Sequence, residues 1–524
     1  MRNFEIPGRS PVFAQNGMCA TSHPLATLTA IEILKSGGNA LDAAVAAGLV
    51  LGLAEPQMNG IGGDAFFLFT KGSENRVRAM NGSGKAPAGL DAETLRAAGQ
   101  TDHPSGVHSV TLPCGVAAIA RVLEDHGQIG LDRVLAPAIH YAEEGIPLAH
   151  RVIFDRRRAS EPENEAARTH FGLGTTPPTP GTLFRAPGQA DVLRRVAKDG
   201  PTAFYEGEVA ADMVASLQAL GGTHTMDDFA SVSPDYTDPI EGSYKGQRLI
   251  EHPPNGVGAI AILMTHMMAE FDIASMDPFG PERAHLETEA TKLAFDARNR
   301  FIADPDHTAR TDRLLDPATA KRLASLIDPK RVLPDPAPLT EELHKDTVVA
   351  TVVDRDGSKV SLISSLFSDF GSRIASEKFG ILFHNRGSGF NLTPGHPNEA
   401  GPGKRPLHTI LPAMLGDKDR ITMPFAVMGG AYQFVGHARF LTNMTDFGMD
   451  AQTAIDAPRA FWVDGDLRME GSYPAATRAT LAAMGHRVVA PPAPIGGAQA
   501  IFVHESGLLE GASDPRKDGC ALGY

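Results

Sequence analysis

Cysteine is scarce in this 524-residue chain. There are three, Cys19, Cys114 and Cys520, far apart and odd in number. They match no zinc-binding spacing and suggest a reducing compartment. Positive charge is also in deficit, with 48 Lys and Arg against 62 Asp and Glu and a net charge of −14. Binding to phosphate backbones or anionic membranes needs a basic face, so neither a nucleic acid nor a membrane is an expected partner. Long apolar runs are missing. The longest, Ala43 to Ala54, is broken by Gly48 and Gly52 and falls short of the ~20 residues a bilayer requires. The first residues, "MRNFEIPGRSPVF", contain no apolar segment of secretory type. Together these absences predict a cytoplasmic protein.

Several catalytic and cofactor signatures are absent too. There is no H-E-x-x-H, and His252, His285, His384, His408 and His437 form no metal-ligand spacing. No G-x-S-x-G elbow is present to seat a serine nucleophile. "GIGGD" (60–64) lacks both phosphate-loop spacings and precedes a strand where those loops precede a helix, so it reads as a structural turn. No metal or cofactor is expected.

What is present is a 42% apolar chain with 54 glycines and 39 prolines, enough for a large core and many turns. The length suits two to four domains or one intimate unit. "SHPLATLTAIEILKSGG" predicts a helix that begins near Ser22 and stops at Gly37-Gly38, and a second, Ala-rich helix starts at Asn39. Helical patterns recur over 117–150 and 281–302, and "AQTAIDAPRAF" reads as a further helix. A Pro/Gly-rich stretch after Phe390 reads as a long surface connection, and a last strand is expected near Ala498–His504. No repeat or low-complexity tract is visible. The mix predicts a layered α+β architecture, with sheets covered by helices.

The stretch "HKDTVVATVVDRDGSKVSLISS" (344–365) has the pattern of a buried hairpin. Two β-rich runs, Thr347–Val353 and Lys359–Ser365, flank Asp354-Arg355-Asp356-Gly357. Thr347 opens the first run, either as an ordinary strand opener or as the first residue of a cut chain. Farther on, "MGGAYQF" (428–434) puts two glycines after an apolar strand. Two successive backbone amides exposed there could serve as an oxyanion hole, or the pair could be a tight turn.

These blocks together give the chain a resemblance to the γ-glutamyltranspeptidases, which are N-terminal-nucleophile hydrolases. It runs through "ATSHPLATLTAIEILKSGGNALDAAVAAGLVLGLAEPQMNGIGGDAFF" (20–67), "PPNGVGAIAILM" (253–264), "HLETEATKLAFDARNRFIADP" (285–305), "GPGKRPLHTILPAM" (401–414), "DAPRAFW" (456–462) and "GASDPRKDGCALGY" (511–524). The resemblance implies an αββα sandwich of two stacked antiparallel sheets covered by helices. It implies self-cleavage at Asp346–Thr347, giving a large piece, 1–346, and a small one, 347–524, that stay together as a heterodimer of one chain's fragments. Higher homo-oligomers are left open. It places Thr347 as nucleophile, Thr351 and Ser365 as hydroxyls that orient it, and Gly429 and Gly430 as the oxyanion amides. A threonine hydroxyl needs a base, and the α-amine exposed by cleavage supplies one on the same residue.

The family's γ-glutamyl pocket is where this sequence departs. The arginine that grips the substrate carboxylate is Ala92 by direct alignment, or Arg96 with a shift. The expected Asn is Phe367, the expected Gln is Arg386, the acidic partner of a substrate ammonium is Gly389, and the usual Ser-Ser is His408-Thr409. The 391–403 loop is shorter than in members with an active-site lid. Without the acidic residue a substrate ammonium would be buried unpaired, which is costly, whereas Arg386 can bind a carboxylate bidentately. Phe367 would shrink or dry the same wall. The expected substrate is therefore a small amide bearing a carboxylate but no amine, such as oxamate. The alternatives are an ordinary γ-glutamyltransferase or glutathione hydrolase and, in another class, an uncleaved binding scaffold. Arg386 lines the pocket in the first reading and would be a surface ion-pairing residue in the other.

Overall fold

The computed structural model describes residues 8–308, 310–334 and 347–524. Two seven-stranded sheets are stacked face to face, and every strand pair within them is antiparallel. One sheet runs Cys520–Gly523, Met18–Thr21, Val348–Val353, Lys359–Ser365, Asp64–Phe69, Arg78–Gly82 and Asp235–Thr237. The other runs Val12–Ala14, Leu509–Ser513, Gly497–Val503, Ile421–Met428, Pro412–Gly416, Gln247–Glu251 and Ile240–Tyr244. Helices cover the outer faces, so the molecule is the αββα sandwich that the resemblance implied. Among the described residues no helix is long and apolar enough to cross a membrane.

The strand sequence VVATVV explains why Val348–Val353 lies at the centre. β-Branched residues favour a pleated strand, and an apolar residue on each face suits a strand covered on both sides. Val348, Ala350 and Val352 pack into a core shared with helix Ala40–Ala54. Val349, on the other face, meets Phe66 and Ile363 of its own sheet and Ala426 and Met428 of the facing sheet. By the same alternation Thr347 and Thr351 lie on the inter-sheet face. The covering helix, capped by the Asn39 side chain, is built of small residues, and this lets it lie close. A Cβ on its Gly48 would stand 3.0 Å from the Leu362 side chain.

The hairpin closes as the sequence predicts, with Val348 opposite Ser364 and Val353 opposite Lys359. Asp354 organises the turn: its Oδ1 accepts from the amides of Asp356 and Ser358, and its Oδ2 accepts from the Ala40 amide at 3.0 Å, which fastens the covering helix.

Some local expectations are corrected. "AQTAIDAPRAF" is a helix only over Ala451–Asp456, because the residue before Pro458 avoids helical backbone; Ala460–Val463 is then a strand. Gly497–Val503 is not the last strand, since Leu509–Ser513 and Cys520–Gly523 follow. The connection after Phe390 does not simply cross the surface: Asn398 is buried and donates to the Gly389 carbonyl at 2.6 Å.

Candidate active site

Thr347 stands one residue ahead of its strand and is 1% exposed. Continuing the hairpin register puts it opposite Ser365, and Ser365 in turn pairs with Asp64 on the next strand. Thr347, Ser365 and Asp64 thus form a row across the ends of three neighbouring strands. Directly opposed residues of an antiparallel pair point to the same face, so all three side chains enter the space between the sheets. The Thr347 hydroxyl donates to Ser365 Oγ at 3.4 Å and accepts from Gln433 Nε2 at 3.4 Å. Ser365 Oγ also accepts from the Phe367 amide at 2.8 Å. Asp346, the other side of the expected cut, lies outside the described residues.

Gln433 comes from the facing sheet. Strand Ile421–Met428 ends at Gly429 and Gly430, with φ of +127° and +57°, and the chain then enters helix Gln433–Phe447. At Gly429 a Cβ would lie 2.8 Å from the Gly496 Cα, so both space and conformation require glycine. The turn that carries the glycine pair is the one that delivers Gln433 to the Thr347 hydroxyl. Gln433 was missed in the sequence, although it stands three residues after the pair.

Arg386, Phe367, His408 and Thr409 are brought together in one fully buried cluster. The Arg386 guanidinium lies 4.2 Å over the Phe367 ring, and its Nη1 donates to Thr409 Oγ1 at 3.3 Å. Its burial excludes a surface ion-pairing role. Phe367 has φ +82°, a strained backbone for a bulky residue and one that often marks functional sites. The hub of the cluster is Asp64. Its Oδ2 lies 2.9 Å from His408 Nε2, 3.2 Å from His384 Nδ1 and 3.4 Å from Arg386 Nε, while Oδ1 accepts from the Gly84 amide at 3.1 Å. Burial alone would raise the Asp64 carboxyl; His384 and His408 outweigh it and hold that group well below the usual carboxylate range. Burial, reinforced by Arg386, pushes His408 down to about 3. The hydrogen bonds agree that its imidazole is neutral, since Nδ1 accepts from the Ile410 amide while Nε2 donates to Asp64. Reading "GIGGD" as a mere turn overlooked Asp64. The available signal was an acidic residue opening an otherwise apolar strand, "DAFFLF".

Other expected residues lie elsewhere. The Thr351 hydroxyl donates to the Ala20 carbonyl at 3.3 Å. Four residues along a strand is about 13 Å, so Thr351 does not reach Thr347, and Ser365 is the hydroxyl that meets it. Arg96 is not in the pocket either: it pairs with Glu399 at 2.7 Å and with the Leu392 carbonyl at 2.9 Å, and Ala92 sits in a small apolar cluster. At Gly389 a Cβ would come 2.5 Å from the Leu407 carbonyl, which leaves no room for an acidic side chain without moving backbone.

His285, which sequence spacing left without metal-binding partners, is brought within 4.8 Å of ligand atoms on Glu289 and His486. These residues do not fit a metal. Lys292 Nζ stands 3.2 Å from Glu289 Oε1, and His285 Nδ1 is hydrogen-bonded to His486 Nε2 at 2.8 Å. The group is an ion-paired cluster joining chain on either side of Thr347.

The family model for gamma-glutamyltranspeptidase matches residues 26–524. The chain is 34% identical to the glutathione hydrolase-like YwrD proenzyme of Bacillus subtilis, over 98% of its own length and 99% of that protein's. It is 33% identical to the oxamate amidohydrolase proenzyme of Klebsiella pneumoniae, over 97% and 98%. The glutathione hydrolase proenzyme of Escherichia coli is 30% identical, over 98% and 93%. Among solved structures, a cephalosporin acylase from Bacillus halodurans superposes with a TM-score of 0.91 at 34% identity, covering 100% of this chain and 99% of that one.

Proposed function

The chain belongs to the gamma-glutamyltranspeptidase family, and from that premise we propose that it is a self-processing amidohydrolase with Thr347 as nucleophile, acting on a small amide whose acyl group carries a carboxylate. The observation that supports this most is the setting of the Thr347 hydroxyl. Its hydrogen-bond partners among the described residues are a serine hydroxyl and a glutamine amide. Neither is a base, so proton removal falls to the α-amine that cleavage of Asp346–Thr347 would expose. An α-amine titrates near 7.7–8.0 in model peptides, suited to general-base work at neutral pH.

In the reaction, Thr347 Oγ attacks the amide carbonyl carbon while the α-amine takes the hydroxyl proton. The Gly429 and Gly430 amides meet the oxyanion. Collapse breaks the C–N bond, and the leaving amine departs with that proton. Water then attacks the ester by the same route, releasing the acid and restoring the hydroxyl. The word "proenzyme" in the names of the relatives supports self-processing. The Arg386–Phe367–Thr409 cluster, and the absence of space for an acid at Gly389, support a carboxylate-bearing acyl group without an ammonium. Oxamate, named in the activity of one relative, is the simplest such amide.

Incubated protein should run as two fragments split at Thr347 on a denaturing gel, co-elute in native gel filtration, and release ammonia from oxamate. Thr347→Ala should abolish both splitting and turnover, with a rate loss on the order of 10⁴ or greater. Splitting that survives in Thr347→Ala would reject the nucleophile.

A further inference from the structure

We propose that Asp64 is the positioning residue of the acyl pocket, holding Arg386 and His408 on one buried carboxylate beside His384 so that the wall beside the nucleophile accepts a carboxylate-ended acyl group and refuses an ammonium. This rests on Thr347 being the nucleophile. The row Thr347–Ser365–Asp64 spans three adjacent strands, so Asp64 lies two strand spacings, about 10 Å, from the reacting hydroxyl. That is within the length of a small acyl group and the side chain that grips it.

The accepting capacity of Asp64 decides what the wall can bind. An ionised carboxylate offers about four lone-pair sites. Three donors face them: the Gly84 amide on Oδ1, with His408 Nε2 and Arg386 Nε on Oδ2; the His384 ring stands 3.2 Å from that same oxygen. Both acceptor sites of Oδ2 are taken, the neighbouring Arg386 guanidinium repels a cation, and Gly389 cannot carry a second acid without backbone movement. The opposite edge of the cluster is rich in donors, with the planar guanidinium of Arg386 braced on Phe367 and beside the Thr409 hydroxyl. Such an edge suits an acceptor-only group, and a guanidinium fork matches a carboxylate. His384 is fixed from its other side, where Nε2 faces the Thr111 carbonyl at 2.8 Å. Removing the charge of Asp64 therefore loosens Arg386 and His408 at once and changes the charge facing His384.

Two p-nitroanilides that differ only in the α-amine, glutaryl- and γ-glutamyl-, test the proposal on the processed enzyme. Wild type should prefer glutaryl- by tenfold or more in kcat/KM; a preference for γ-glutamyl- overturns the proposal without any variant. In Asp64→Asn, which keeps the shape of the side chain, the preference should shrink at least tenfold. The change should come through a raised KM for the glutaryl substrate, with kcat altered less than threefold. An equal fall for both substrates, or a fall confined to kcat, would make Asp64 a structural residue and overturn the proposal while leaving Thr347 in place. If wild type neither splits at Thr347 nor turns over any amide, the nucleophile reading fails and takes this inference with it. Should Asp64→Asn prove insoluble, the wild-type pair of substrates still decides.

Discussion

Ser365 holds two groups at once, the Thr347 hydroxyl and the Phe367 amide. Truncating it removes the acceptor of the Thr347 hydroxyl and strands a buried N–H, which costs roughly 1–3 kcal/mol. Misplacing a reacting group by an ångström can cost about 10²-fold in rate. Ser365→Ala should therefore lower kcat by one to two orders of magnitude, on the order of 10–100-fold, and Ser365→Thr should recover most of it. Steady-state kinetics on the fully split enzyme check this; equal rates in wild type and Ser365→Ala would remove Ser365 from the site. Thr351→Ala offers the contrast, since its hydroxyl serves the Ala20 carbonyl.

The hairpin and the helix that covers it are coupled through Asp354, whose carboxylate serves the turn amides and the first amide of helix Ala40–Ala54. Losing a cap of this kind costs about 0.5–2 kcal/mol, and the turn bonds add to it. Asp354→Ala should lower unfolding stability by about 1–3 kcal/mol, read as a reduced denaturant midpoint with an unchanged slope. The nucleophile strand gains its place from the same element: a tight turn returns Ser365 beside Thr347, and the capped helix presses Val348, Ala350 and Val352 inward.

At the scale of the molecule, segments from before and after Thr347 interleave. Met18–Thr21 lies between Cys520–Gly523 and Val348–Val353, and in the facing sheet Gln247–Glu251 pairs with Pro412–Gly416. A cut ahead of Thr347 therefore severs one peptide bond and, among the described residues, no strand pairing. Acid should threaten the whole assembly. Burial pushes His252 and His224 down to about 4 and His408 down to about 3, below the ordinary imidazole value of 6.5. Between those values and 6.5 the unfolded chain binds more protons than the folded one. Stability then falls as pH drops, each histidine approaching a slope of about 1.4 kcal/mol per pH unit. The depressed carboxyl of Asp64 acts in the same direction, but its contribution begins to be lost only below about pH 4. Glu55, which burial pushes up to about 7, acts oppositely over the same range, but three histidines outweigh one carboxyl. In thermal unfolding Tm should therefore fall from pH 6 to 5; a flat profile there would contradict neutral burial of these histidines.

Legibility in the sequence followed the range of the interactions. The hairpin, its Asp-Gly turn, the glycine pair and the covering helices are local, written in β-branched runs, turn residues and caps, and they could be read directly. Thr347 could be singled out as well, because strand opener and resemblance met at one residue. Gln433, Asp64 and His384 could not be read in this way: each acts on a residue distant in sequence, and only stacked sheets bring them together. The same holds for the errors. The resemblance placed Thr351 beside Thr347, yet four residues along an extended strand is about 13 Å. Arg96 looked available until the folded loop supplied Glu399. The sequence by itself determined the layered fold and the hairpin that Thr347 opens, since backbone propensity and burial pattern act over a few residues. Tertiary structure decided what surrounds that nucleophile. A buried carboxylate must find its donors wherever the fold delivers them, and here Asp64 finds three.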